Sequence, residues 1–227
     1  THPQYRRRGI ASKLLNTALK QIRANGIKSA QVSISETNTG AKKLLKKLGF
    51  IFIRYFVKMQ LRIGDKKLRP SIIPASDISS RRLKPHETRL LTEVQNRCFA
   101  GSWGFNPNTE GEIAFRLSMQ SRSPQDVVLT YEKTHLIGYC WTTINSEDNE
   151  SRAEKKGQIH MLGVDPDYRQ QEIGKAILRN GLKALKARGV NVVELTADSE
   201  NTAARALYES AGFEVYAKME WYEKAVN

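Results

Sequence analysis

Apolar residues recur near 3.6-residue spacing at Ile10, Leu14, Leu15, Ala18, Leu19 and Ile22. That period predicts a helix with one apolar face. The spacing returns at Ile173, Ile177, Leu178, Leu182 and Leu185. Gly26 and Gly189 follow as the expected glycine stops. A short strand is predicted next in each place, SAQVSIS at 29–35 and VVELTA at 192–197. Second helices follow at about 39–47 and 202–210, ended by Gly49 and Gly212. Final strands are predicted at 50–61 and 213–222.

The two stretches are copies. The segment beginning PQYRRRGIASKLL at Pro3 matches PDYRQQEIGKAIL at Pro166, an offset of 163 that holds without a gap. Tyr5 pairs with Tyr168, Arg6 with Arg169, Ile10 with Ile173, Asn38 with Asn201, Leu44 with Leu207, and Gly49-Phe50 with Gly212-Phe213. A period this long is too large for a solenoid and points to a duplicated domain. Between the copies, residues 86–100 and 109–120 read as helices. Residues 126–132, 136–145 and 158–164 read as strands, the first two joined by a turn at 132–135. Residues 71–227 therefore read as a complete second domain of α/β (α+β) type. Residues 1–63 read as the C-terminal half of a first domain, with 64–70 as a linker. An open sheet edge where that half begins would be a liability.

Charge sharpens this division. The formal net charge is +14. Residues 1–70 hold 17 Lys/Arg against two acids, Glu36 and Asp65, for a net of +15; the rest nets −1. A basic segment attracts phosphates, nucleic acid or an acidic neighbour. The competing reading is a solvated face. No stretch approaches the roughly 18 apolar residues of a membrane span, and no signal-peptide pattern is present in a segment that begins at Thr1. Cys98 and Cys140 make no disulfide framework and suit a reducing, cytoplasmic compartment. Neither has a Cys or His neighbour at zinc-ligand spacing, so no metal is expected.

At the repeated motifs the chain resembles the GNAT N-acetyltransferase superfamily. The family's phosphate loop is Arg/Gln-x-x-Gly-x-Gly/Ala. Arg6-Arg7-Arg8-Gly9-Ile10-Ala11 fits it fully, whereas Arg169-Gln170-Gln171-Glu172-Ile173-Gly174 has Glu172 in place of the first glycine. The family's second motif, Asn-x-x-Ala-x-x-Leu-Tyr and then Gly-Phe, fits Asn201, Ala204, Leu207, Tyr208, Gly212 and Phe213. The first copy matches with Asn38, Ala41, Leu44, Gly49 and Phe50 but carries Leu45 at the tyrosine position. The tandem layout resembles the mycothiol synthase-like acetyltransferases. The resemblance implies a GNAT fold, a mixed central sheet flanked by helices, with acetyl-CoA as the acyl donor.

Successive backbone N–H groups at a helix N-terminus form an anion site. The resemblance assigns the CoA diphosphate to Arg169, Gln170, Gln171, Ile173, Gly174 and Lys175, with Asn201 nearby. In the first copy it assigns Arg6, Arg8, Gly9 and Ala11, with Asn38. It assigns the pantetheine arm to the backbone of Leu162, Gly163 and Val164, where Gly163 suits a bulge or a close approach. Tyr208 takes the role of general acid for the departing thiolate. Leu45 leaves the first copy without that acid and so weak or silent. His160 is the candidate base, because histidine titrates near neutral pH. Trp103 and Phe105 are candidates to border the acceptor site.

A carboxylate at Glu172 beside a diphosphate adds a repulsion of about 1–4 kcal/mol at 4 Å, depending on the effective dielectric. The expected activity is acetyl transfer to a primary amine of a small molecule or peptide. The alternatives are a degenerate CoA-binding regulator and, less favoured, nucleic-acid or ribosome binding through residues 1–70. That last reading is weakened because Lys42, Lys43, Lys46 and Lys47 lack an interleaved aromatic platform. No membrane partner is expected, and the oligomeric state is open.

Overall fold

In the computed structural model, which describes residues 1–63, 78–119, 123–144, 154–169 and 172–226, the two stripes form helices α1 (Ile10–Ala24) and α5 (Ile173–Lys186). Each copy continues as predicted. The first gives strand β1 (Ser29–Ser35), helix α2 (Thr39–Lys47) and strand β2 (Ile51–Arg62). The second gives β7 (Val192–Asp198), α6 (Thr202–Ser210) and β8 (Glu214–Ala225). Between them lie β3 (Ile78–Arg82), α3 (Thr88–Phe99), α4 (Glu110–Ser118), β4 (Val127–Glu132), β5 (His135–Thr143) and β6 (Lys156–Val164). The linker expected at 64–70 lies outside the described residues.

The strands form a mixed sheet with the order β1-β8-β2-β7-β6-β5-β4-β3. Among the registered pairs, β6–β7 is parallel and the others are antiparallel. The chain divides into two compact units. One contains Thr1–Met59, Thr196–Arg205 and the chain from Val215; the other contains Gln60–Leu195 and Ala206–Glu214.

In the first unit, β8 pairs with β1 from Ser29 opposite Ala225 to Ser35 opposite Met219. A strand of the second sequence copy thus lies beside a strand of the first. The exchange brings acids to a basic segment. Glu220 is buried and accepts from Lys42 Nζ at 2.6 Å and from the Tyr222 hydroxyl at 2.7 Å. Arg54 lies 2.7 Å from Asp198 and 3.3 Å from Glu200. Part of the charge asymmetry in the sequence is therefore paired within this unit. Helix α1 has no buried residue, and Leu14 is 62% exposed.

In the second unit, β5 separates two cores, because successive strand residues face opposite sides. Tyr139 and Trp141 join Leu91, Val94 and Ile113 beneath α3 and α4. Gly138 and Cys140 face α5, which buries Ile173, Ile177, Leu178, Leu182 and Leu185. The contact with α5 has no spare room. A Cβ at Gly138 would overlap the Gly163 carbonyl and Ile177, and one at Gly181 would overlap the Cys140 thiol.

Gly181→Ala should lower stability by about 1–3 kcal/mol through overpacking, read from denaturant unfolding. Cys140→Ala in that background should recover part of the loss, because the clash is with Sγ.

Candidate functional site

The site is built where β6 leaves β7. Their parallel pairing joins Lys156 to Val192, Gly157 to Val193 and Gln158 to Glu194. Beyond it no β6–β7 pair is formed among the described residues, while β6 stays paired with β5 as far as Val164. One edge of residues 159–164 therefore offers backbone N–H and C=O groups that need another partner. Leu162, Gly163 and Val164 lie on this stretch.

Gly163 is a close-approach site. A Cβ there would stand 2.7 Å from the Tyr139 ring and 2.9 Å from Cys98 Cβ. The bulge expected there lies elsewhere. Trp141 pairs with Met161 and Thr142 with Ile159, so the extra residue is His160. A bulge redirects its side chain, and His160 stands exposed with its ring edge-on to Trp141 at 5.4 Å.

After β6 the chain turns through a short 3-10 turn, Pro166–Tyr168, into α5. Buried Asp165 accepts from the Asp167 N–H at 3.0 Å and pairs with Arg97 of α3. Arg169, expected at a phosphate, donates to the carbonyl of Cys98 at 2.7 Å and to that of Val164 at 3.4 Å. Arg97 and Arg169 therefore latch the turn to the end of α3. Gln170 and Gln171 lie outside the described residues.

Glu172 opens α5 in the left-handed conformation, with φ 61°, and makes no side-chain cap. Its first-copy counterpart, Gly9, has φ 75° and opens α1 in the same way. The backbone turn is thus kept although its glycine is not. A left-handed non-glycine residue costs about 1–2 kcal/mol. The Glu172 carboxylate pairs with Lys175 at 2.7 Å. This pairing offsets the repulsion expected from Glu172 and engages the lysine expected at the cofactor. Gly174 lets α5 approach α6, since a Cβ there would meet Leu207 at 3.3 Å.

Asn201 caps α6 by accepting from the Ala204 N–H at 3.0 Å, and Asn38 caps α2 through Ala41 at 3.1 Å. Both expected binding residues hold helix starts, by the mechanism that favours asparagine there. In the first-copy loop, Arg6, Arg7, Arg8 and Gly9 are exposed, Ala11 is half-buried on α1, and the Arg8 guanidinium lies 5.4 Å from the Tyr5 ring centroid.

Tyr208 is buried on α6, edge-on to Phe213 at 5.8 Å. Burial first, and the nearby Cys140 second, push its phenol well above the usual 10.0, so it stays protonated at neutral pH. Leu45, at the same position of the first copy, is buried as well. Burial also pushes the Cys140 and Cys98 thiols up to about 12, so neither is a thiolate near neutrality.

A cavity of about 310 Å³ opens beside α3, lined by Phe105 but not by Trp103. Sequence reasoning missed its other walls, Gln95, Arg116 and Met161, and missed the two latching arginines. The periodicity marks Gln95 and Met161 only as residues on a helix and a strand.

The chain matches the model of the acetyltransferase (GNAT) family over residues 1–50 and 88–213. It is 30% identical to a mycothiol acetyltransferase of Sanguibacter keddieii over 217 residues, covering 93% of this chain and 68% of that protein. It spans 64% of the length of other mycothiol acetyltransferases that it matches. The fold is similar to that of a GCN5-related N-acetyltransferase from Sphaerobacter thermophilus, with TM-score 0.78, 23% identity, and coverage of 100% of this chain and 71% of that one. It is also similar to a tandem GNAT protein from the clavulanic acid biosynthesis pathway, with TM-score 0.75, 16% identity, and coverage of 100% and 73%.

Glu172→Gly should stabilise the chain by about 0.5–1 kcal/mol, because relieved left-handed strain outweighs an exposed ion pair; thermal unfolding reads the change. At pH 8 the folded chain should resist iodoacetamide, whereas the unfolded chain should take up two labels, counted by intact mass.

Proposed function

Because this chain belongs to the GNAT family of N-acetyltransferases, we propose that it transfers an acetyl group from acetyl-CoA to the primary amine of a small molecule or peptide. The observation that carries the reading is the unpaired edge of β6 leading into an α5 start with no side-chain cap. These features fit an extended amide-bearing chain ending in a diphosphate. Acetyl-CoA, when bound, supplies an acyl group activated as a thioester. The backbone of Leu162, Gly163 and Val164 would hold the pantetheine arm. The first N–H groups of α5, at Ile173, Gly174 and Lys175, would hold the diphosphate.

Direct attack by the amine fits the two cysteines, which are buried and protonated and so poor acyl carriers. The amine attacks as a neutral nucleophile, and His160, exposed on its bulge, is offered as the group that accepts its proton. The C–S bond breaks as the amide C–N bond forms. Tyr208 holds a proton for the departing sulfur, and its burial keeps the phenol protonated across the neutral range. Residues 1–63 and 71–227 are read as one half and one whole copy of the domain. Leu45 leaves the first copy without the acid, so chemistry is assigned to the second.

Native mass spectrometry with acetyl-CoA, counting ligands per chain, tests binding, and one or two are expected. Tyr208→Phe should lower kcat about tenfold or more with the KM for acetyl-CoA little changed. Binding without turnover on any amine would favour the regulatory reading. No binding would overturn the proposal.

A further inference from the structure

Apart from Phe105, the cavity beside α3 is built from residues to which the acetyl-transfer reading gives no role. Gln95 of α3, Phe105 and Asn108 of the following loop, Glu112 and Arg116 of α4, and Met161 of β6 supply its walls. Gln95 is 0% exposed. Its Nε2 donates to the Met161 thioether at 3.1 Å, and its Oε1 has no hydrogen-bond partner among the described residues. Turning the amide over would leave both of its polar atoms without a partner, because a thioether cannot donate. The hydroxyl of Tyr139, also 0% exposed, rests on the same sulfur at 3.9 Å. Two buried polar side chains thus share one weak acceptor. Such groups find partners in nearly every native fold, and among the described residues the Gln95 carbonyl is the one unpartnered buried polar atom that belongs to a residue lining the cavity.

The rim of the cavity is fixed. Asn96 donates to the Asn108 carbonyl at 2.9 Å and accepts from the Asn108 N–H at 2.8 Å. The Phe99 and Phe105 rings pack at 5.6 Å. Charge then decides what fits. Glu112 accepts from Thr109 N at 2.7 Å and Thr109 Oγ1 at 3.0 Å, both at Oε2, in a capping box. Arg116 is half-buried and makes no hydrogen bond or ion pair among the described residues. Arg116 stands within electrostatic reach of the Glu112 carboxylate on the same wall, and its guanidinium keeps paired N–H donors that a ligand carboxylate would accept.

We propose that this cavity seats the non-reacting end of the amine acceptor, and that Arg116 and Gln95 select an acceptor carrying a carboxylate at that end. The Gln95 carbonyl takes an N–H of the same molecule. The term acceptor rests on the acetyl-transfer reading, but the preference for a carboxylate does not.

Three matched amines test it: 4-aminobutyrate, 4-aminobutanamide and 1,4-diaminobutane, which differ only at the far end. Their binding to the full chain is read without turnover, by ligand-observed NMR. 4-Aminobutyrate should bind about tenfold more tightly than the diamine, with the amide between them. Arg116→Met should bring the three within about twofold, Arg116→Lys should keep the order, and Gln95→Leu should weaken all three. Equal or tighter diamine binding, an unchanged order in Arg116→Met, or no binding of 4-aminobutyrate in the millimolar range would each overturn the proposal. A chain that binds 4-aminobutyrate but transfers no acetyl group would overturn the reaction and leave the cavity's preference standing.

Discussion

A backbone that leaves its partner must find another, and β6 leaves β7 after three residue pairs. Residues 159–164 keep their bonds to β5 on one side and lose them on the other. The remaining features of the site follow from holding that open edge in place. Gly138 and Gly163 let β5 and β6 lie against α5 and α3 without a side chain between them. Arg97 and Arg169 tie the turn after β6 to the end of α3. An edge left free in this way invites pairing with a foreign strand, and here it leads straight into a helix start instead.

The residues around this edge carry unequal burdens. Glu172 keeps a backbone conformation suited to glycine and turns its charge on Lys175. The pairing makes the loop less basic than its counterpart, where Arg6, Arg7 and Arg8 stand exposed. Tyr208 is the reverse case, a polar head drawn into an apolar setting that suppresses its ionisation. The two copies have thus diverged in opposite senses. One keeps the glycine and arginines of the loop motif, and the other keeps the tyrosine of the helix motif.

Much of the fold was legible in the sequence because it is local. Helix periods, glycine stops and the offset of 163 located α1, α2, α5, α6 and their strands. The β8–β1 pairing was not legible, because strands with the same alternation are interchangeable as partners until tertiary packing chooses between them. Site residues divided in the same way. Gly163 could be read as a close approach, whereas the packing of Gly174 against Leu207 could not. Arg169 carries a charge that suits a phosphate and a carbonyl equally, and only the end of α3 decides between them. Asn38 and Asn201 sit in a binding motif and also in a capping position, and the structure shows the cap. Gln95 could not be found, since an unpaired amide is a property of surroundings drawn from α3, α4 and β6.

The exchanged strand has a consequence for synthesis. Ser29 finds its partner in Ala225, almost two hundred positions later. A nascent chain extends from its N-terminus, so α1, β1 and α2 leave the ribosome long before β8 exists. Closing so wide a loop is entropically slow, and contacts this distant in sequence delay folding. Through that interval β1 is exposed on a partly made chain, which is the condition under which chaperones bind and misassembly begins. Until residues 219–225 are made, β1 lacks the strand it pairs with in the folded chain.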